Sequence, residues 1–258
     1  MATGNSDTWL ERVLMAASVR RWSRVAQQAD TTELPRLRRQ RAAARKLKQR
    51  IDKLIFVADG RLALPVVGNQ AFPRPHEADW AWRPDLWCGP LAVPGISSVQ
   101  SKSMLGSEAT LFHDCAHSEI TLRQLRNLRE SDLAAYGLRL DVFKFDGSYL
   151  SLAVDLPEEA SRGLKRKHLI RVETIVEMEK PLEIFARLNI KHGPNTEQIV
   201  RELPLNGQEI RVEFDLAYTR LNEKRVERMW LDLIFEGPEM NQVILRDLTF
   251  SRRPRAEL

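Results

Sequence analysis

Between Leu182 and Leu216 apolar and polar positions alternate strictly. Leu182, Ile184, Ala186, Leu188 and Ile190 fall on one side, and Glu183, Phe185, Arg187, Asn189 and Lys191 on the other. After a polar loop the pattern returns, with Ile210, Val212, Phe214 and Leu216 set against Arg211, Glu213 and Asp215. Successive strand side chains leave opposite faces, so this period of two predicts a sheet that is dry on one face and wet on the other. One-sided burial of this kind belongs to antiparallel sandwiches and meanders.

Short strand patterns recur through the C-terminal part at the spacing of an all-β unit. They are expected at 108–114, 118–122, 138–145, 149–155, 168–179, 181–191, 197–203, 209–218, 228–235 and 243–251. Asp146-Gly147 and Asn206-Gly207 read as hairpin turns, and residues 157–164 as a helical turn or two. Leu150, Leu152 and Val154, then Ile170, Val172, Val176 and Met178, supply further inward rows.

The N-terminal part has a different period. Leu10, Val13, Leu14, Ala17, Trp22 and Val25 make a rough apolar side for a helix over 9–28. A second helix is expected from near Thr32, whose hydroxyl could cap it, to about Val57, with Pro35 tolerated in the first turn. Leu37, Ala44, Ile51 and Ala58 repeat every seven residues, with Leu47 and Leu54 on the complementary positions and Gln40 interrupting them. The opposite face carries Arg38, Arg39, Arg41, Arg45, Lys46, Lys48 and Arg50. Residues 62–95 contain Pro65, Pro73, Pro75, Pro84, Pro90 and Pro94, which forbid a continuous helix or a central strand. Trp80, Trp82 and Trp87 within this connector are expected to clamp it against the sandwich, or else to form an aromatic binding platform. The layout is therefore a basic helical hairpin (1–60), a Pro- and Trp-rich connector (61–97) and an antiparallel, jelly-roll-like β-sandwich (98–258).

Charge sharpens this division. The 258 residues carry a net charge of +5. Between Arg20 and Lys53, twelve Lys or Arg face only Asp30, Glu33 and Asp52, a local +9, so the remainder is net −4. A basic module joined to a near-neutral domain follows. An anionic membrane surface or an acidic protein is the partner expected for residues 20–53, ahead of nucleic acid, because the second helix has cations but no stacking aromatic before Phe56. No run approaches the ~18 apolar residues of a spanning helix, and no stretch has the composition of a secretory signal. The expected location is cytoplasmic, peripheral to the inner membrane if the arm docks there. Cys88 and Cys115 lie in different segments and read as free thiols.

Candidate chemistry is sparse. In Phe112-His113-Asp114-Cys115-Ala116-His117, an extended chain would put His113, Cys115 and His117 on one face, but a zinc site needs a fourth ligand, and no metal or cofactor is expected. Glu173, Glu177 and Glu179 share a strand face, and ion pairing with Arg171 and Lys180 explains them better than glycosidic catalysis. No phosphate loop or nucleophile elbow is present, and no catalytic residue is assigned. The hydrogen-bonding loop 192–198 beside Phe185 and Asn189 suits polyol recognition. His192, Asn195, Glu197, Tyr218 and Trp230 complete that candidate set, since sugar sites combine aromatic faces with planar amides and carboxylates.

Two resemblances add to this reading. The stretch Trp230-Leu231-Asp232-Leu233-Ile234-Phe235-Glu236 followed by Val243-Ile244-Leu245-Arg246-Asp247-Leu248-Thr249-Phe250 resembles the closing strand pair of galactose-binding-like and carbohydrate-binding-module jelly rolls, over residues 98–254. The whole chain, notably Trp80-Ala81-Trp82-Arg83-Pro84 and His192-Gly193-Pro194-Asn195-Thr196-Glu197, resembles an alphaproteobacterial family of unassigned function, which implies a bacterial setting and a two-part layout. A non-catalytic binding protein for a glycan or glycoconjugate is the expected role. A structural or scaffolding subunit attached through the basic arm comes next, and a metal-dependent or glycosidic enzyme third.

Overall fold

A computed structural model of the protein describes residues 9–62, 71–129, 131–205, 207 and 209–255. The chain divides into two compact units, Met1–Leu62 and Ala63–Leu258.

The first unit consists of α1 (Trp9–Gln27) and α2 (Leu34–Leu62), joined through a short 3-10 turn at Ala29–Thr31. Thr32 does not act as the expected helix cap. Its hydroxyl instead donates back to the Gln28 carbonyl at 2.7 Å, closing the turn from the α1 side. Trp22, Val25, Leu37, Gln40 and Ala44, on either side of that turn, are half-buried, whereas Leu14, Met15, Val19, Leu47, Ile51 and Leu54 are exposed.

The second unit is a sandwich of two antiparallel sheets. In chain order its elements are β1 (Trp80–Trp82), α3 (Asp85–Cys88), β2 (Gly95–Ser97), β3 (Ser103–Leu105), β4 (Ala109–His113), β5 (Ile120–Arg126), β6 (Tyr136–Val142) and β7 (Leu150–Asp155). There follow α4 (Glu158–Ser161), β8 (His168–Met178), β9 (Ile184–His192), β10 (Asn195–Glu202), β11 (Glu209–Asp215), β12 (Val226–Phe235) and β13 (Asn241–Pro254). One sheet runs β11-β8-β13-β6-β5-β2, with β1 also paired to β13, and the other β10-β9-β12-β7-β4-β3. All ten expected strands are present. The three that sequence patterning missed, β1, β2 and β3, are three residues each, too short for a period of two to register.

The core lies between the sheets, and the alternation explains it. Ile184, Ala186, Leu188 and Ile190 of β9 meet Ile210, Val212 and Phe214 of β11, Ile170 and Val172 of β8 and Leu231 and Leu233 of β12 in one buried cluster. Burying an aliphatic side chain contributes about 1.5–3 kcal/mol, so rows of this length drive the assembly.

Neither turn signal makes a hairpin. Asp146-Gly147 joins β6 in one sheet to β7 in the other, and β10 and β11 likewise belong to different sheets; Asn206 lies outside the described residues. The Asp-Gly signal reports a reversal, not which sheet receives the chain. Gly147 is required for another reason: a Cβ there would run into the Asp114 carboxylate and the Cys115 backbone. A tight hairpin forms instead at β9–β10, through a two-residue turn of Gly193-Pro194 with Gly193 at φ +59°. Positive φ at the first central residue is natural for glycine, and proline fixes the second.

The connector is built into the sandwich. Trp80–Trp82 pair antiparallel with Phe250–Arg252, and the Trp82 ring lies 5.6 Å from that of Phe250. Trp87 is fully buried and donates from Nε1 to the Leu245 carbonyl at 3.1 Å. Between them, Arg83 is buried against Asp247 of β13. That aspartate faces outward because Arg246 is inserted as a bulge between Leu245 and Asp247, which shifts the inward row from Val243 and Leu245 to Leu248 and Phe250.

Candidate ligand-binding face

The outer face of the sheet β10-β9-β12-β7-β4-β3 holds a groove of about 530 Å³. Strand register builds it in rows. Gln198 of β10 lies opposite Asn189 of β9, which lies opposite Trp230 of β12 and, beyond it, Asp155 of β7. The next row is Val200, Arg187, Asp232, Ala153 and Thr110, and the third Glu202, Phe185, Ile234, Ser151 and Phe112. Five strands at ~4.8 Å spacing make the face roughly 19 Å wide.

A hydrogen-bonded chain stiffens its centre. Arg187 donates from Nε and Nη2 to Asp232 Oδ2 at 2.9 and 2.8 Å, and Asn189 Nδ2 donates to the same oxygen at 2.9 Å. Gln198 Nε2 donates in turn to Asn189 Oδ1 at 2.9 Å. All three donors converge on Oδ2, so Asp232 Oδ1 keeps its acceptor capacity. Asn189, expected to be exposed, is 0% exposed, because this network covers its amide. The Arg228 guanidinium lies 4.8 Å from the centre of the Trp230 ring, a cation–π arrangement. Arg187 and Arg228 on the groove wall are balanced by Asp155 and Asp232, and Phe112 and Tyr149 add aromatic surface near its β4 and β7 side.

The sequence-predicted residues fall into separate places. Asn189 and Trp230 line the groove, and Phe185 shares their face in the third row. His192 belongs to the inward row of β9 and is buried, with Nδ1 accepting from the Asn222 backbone N–H at 3.4 Å. Glu197 lies opposite Ile190, on the core side of β10, its Oε1 3.7 Å from His192 Nε2. Asn195 is exposed at the start of β10, opposite His192. Tyr218 does not join Trp230: it follows β11, a strand of the other sheet, and is 83% exposed with Arg255 over its ring. Arg187, Asp232, Asp155, Phe112 and Tyr149 were not chosen for this site from sequence, and Gln198 entered only as the last residue of the loop 192–198. Their signal is that each is polar or aromatic at an outward position, but only cross-strand register shows that they converge.

The two other clusters resolve into structure. β4 ends at His113, so the extended continuation that would align His113 with Cys115 and His117 is missing. His113 Nε2 lies 2.8 Å from the Val99 carbonyl and Nδ1 accepts from the Cys115 N–H, while Asp114 accepts from the Ser148 hydroxyl and from the backbone of Ser148 and Tyr149. Among the described residues no three His, Cys, Asp or Glu side chains are grouped to hold a metal ion. Glu173 pairs with Arg211 and Arg171, and Glu177 with Arg246 and Arg129. For Glu177, burial works to raise the carboxyl, yet the bonds and charges of both arginines together hold it below its ordinary range.

The fold and this groove define a β-sandwich with an open, uncharged-on-balance groove on one sheet. The chain belongs to DUF6478, a family of unknown function, which it matches over residues 1–258. No curated protein matches it in sequence. Among solved structures it is similar to the enzymatically active domain of tailspike protein 4 from bacteriophage CBA120, at 10% identity and TM-score 0.41, over 60% of this chain and 21% of that one. It is also similar to a family 11 carbohydrate-binding module of Clostridium thermocellum, at 11% identity and TM-score 0.39, over 65% of this chain and 99% of the module. A third is a xylan-binding domain of Paenibacillus barcinonensis, at 8% identity and TM-score 0.35, over 63% of this chain and 94% of that domain.

Proposed function

We propose that the protein is a non-catalytic glycan-binding protein whose ligand lies on the outer face of the sheet containing β9 and β12. The observation that carries this is the convergence of Arg187 and Asn189 on Asp232, with Gln198 holding Asn189 in turn, beside Trp230, in a groove whose cations and carboxylates balance. A neutral polyhydroxylated ligand offers both donors and acceptors. Asp232 Oδ1 is an acceptor for a sugar hydroxyl, and the Arg187 guanidinium, half-exposed, keeps donors facing the groove. An indole or phenyl face covers the apolar side of a pyranose ring. Because the polar groups are already fixed by one another, little side-chain entropy is lost on binding.

Screening the full chain on a glycan array, followed by calorimetry on any hit, tests the proposal. Trp230→Ala, at a half-buried position, should weaken binding by at least about tenfold while leaving the circular dichroism spectrum unchanged. Absence of binding to any saccharide would remove the reading.

A further inference from the structure

The helical unit carries a feature that the glycan reading does not use. Leu47, Ile51 and Leu54 of α2 are exposed, Leu54 by 68%, and with Ala44 and Ala58 they recur at helical spacing along one stripe. At 100° per residue, Arg39, Lys46 and Arg50 lie along one margin of that stripe and Arg41 and Lys48 along the other. Among the described side chains of α2, Lys48 with Asp52 is the one ion pair, and both partners are solvated. The other cations among the described side chains of this helix make no ion pair with a carboxylate. On α1, Leu14, Met15 and Val19 are also exposed, at 65%, 68% and 58%, with Arg20, Arg21 and Arg24 on the same helix.

We infer that this unit docks on an anionic membrane surface, with the apolar stripe of α2 in the interface and the flanking cations at the lipid headgroups. Charge decides against a second copy of the chain. In a coiled coil through Leu47, Ile51 and Leu54, the flanking positions would be Arg41 and Lys48 on one side and Arg36 and Arg50 on the other. In a parallel pair Arg36 would face Arg41 of the second copy, and in an antiparallel pair each cationic flank would meet its own kind. A nucleic acid would engage the cations and leave the leucines in water, because phosphate contacts offer no apolar surface. An acidic partner helix would satisfy one seam, but both α1 and α2 leave apolar side chains exposed. A lipid interface takes several apolar positions without requiring a matched register, and the long stems of Lys and Arg let their charges reach the headgroups while the methylenes lie against the acyl boundary.

Co-sedimentation of the full chain with phosphatidylcholine vesicles, with and without phosphatidylserine, tests this. Binding should be about tenfold or more stronger on the anionic vesicles and should weaken as salt is raised. The double variant Leu47→Gln, Leu54→Gln, which keeps good helix formers and is checked by circular dichroism, should bind about tenfold more weakly. A second variant, Lys46→Gln with Arg50→Gln, should lose affinity on anionic vesicles only. No binding to anionic vesicles, or unchanged binding by the leucine variant, would overturn the proposal, the second result pointing to a purely electrostatic partner such as nucleic acid.

Discussion

Arg83 and Asp247, 164 residues apart in the chain, close a two-bond ion pair, Nε to Oδ1 at 2.9 Å and Nη2 to Oδ2 at 2.8 Å, with the guanidinium wholly out of solvent. This pair ties the Trp-rich connector to β13 at its bulge. The parallel geometry is the strong form of the interaction, but its larger consequence is negative: neither charge can be left alone there. Asp247→Ala should destabilise the protein by about 3–5 kcal/mol, the usual cost of leaving a buried charge without its partner. Replacing both residues by apolar ones of similar volume should cost less than that single change. Chemical denaturation of the three proteins measures the difference, and equal losses in the single and double variants would show that packing, not the orphaned charge, dominates.

Acid stability should depend in part on Glu213. Burial works to raise its carboxyl, but the hydrogen bonds from Arg171 and Arg253 and their charges outweigh burial and hold it below the ordinary 4.5. A folded-state value lower than the unfolded one means that the unfolded chain binds the proton more readily. The contribution is therefore present above the unfolded value and is lost as pH falls through the folded one. Asp247 has the opposite sign, since burial outweighs Arg83 and raises it. Glu213→Gln should cost stability near neutral pH, and its difference from wild type should shrink as pH drops below about 4.5. Denaturation midpoints across that range provide the check; a difference independent of pH would contradict it.

The thiols should separate cleanly. Burial, only partly offset by Arg83, pushes Cys88 up to about 11, so its thiolate is scarce at mildly alkaline pH and its sulfur is out of solvent. Cys115 is half-buried in the loop held by Asp114 and Ser148. A thiol reagent at about pH 8 should modify one cysteine per folded chain, Cys115, and the second only on unfolding. Two fast modifications would mean that the segment bearing Cys88 opens readily.

The two-sheet architecture was legible because β8, β9 and β11 alternate over seven or more residues, and the displaced row in β13 is visible once Leu245 is followed by Leu248. The connections were not. Asp146-Gly147 marks a reversal, and nothing local to it says whether the next strand pairs with the last or crosses to the facing sheet. The same limit governs the site. Asn189 and Trp230 could be chosen as outward side chains, yet Arg187 and Asp232 stand 45 residues apart, and only the β9–β12 register joins them. Tyr218 was grouped with Trp230 for the same reason in reverse: sequence gives each strand's faces without saying which sheet the strand enters. Arg83 carried no signal, because a lone arginine between tryptophans and proline reads as surface until its buried partner is seen.

The most direct test of the central claim is to map a bound saccharide by amide and side-chain chemical shifts in the full-length protein, using the best hit of the array. The account predicts perturbations at the Asn189 and Gln198 side-chain amides and the Trp230 indole N–H, with the outer face of the other sheet around Glu173, Glu177 and Arg211 unchanged. Perturbations confined to that second face, or a saccharide that shifts none of the β9, β10 and β12 signals, would contradict it.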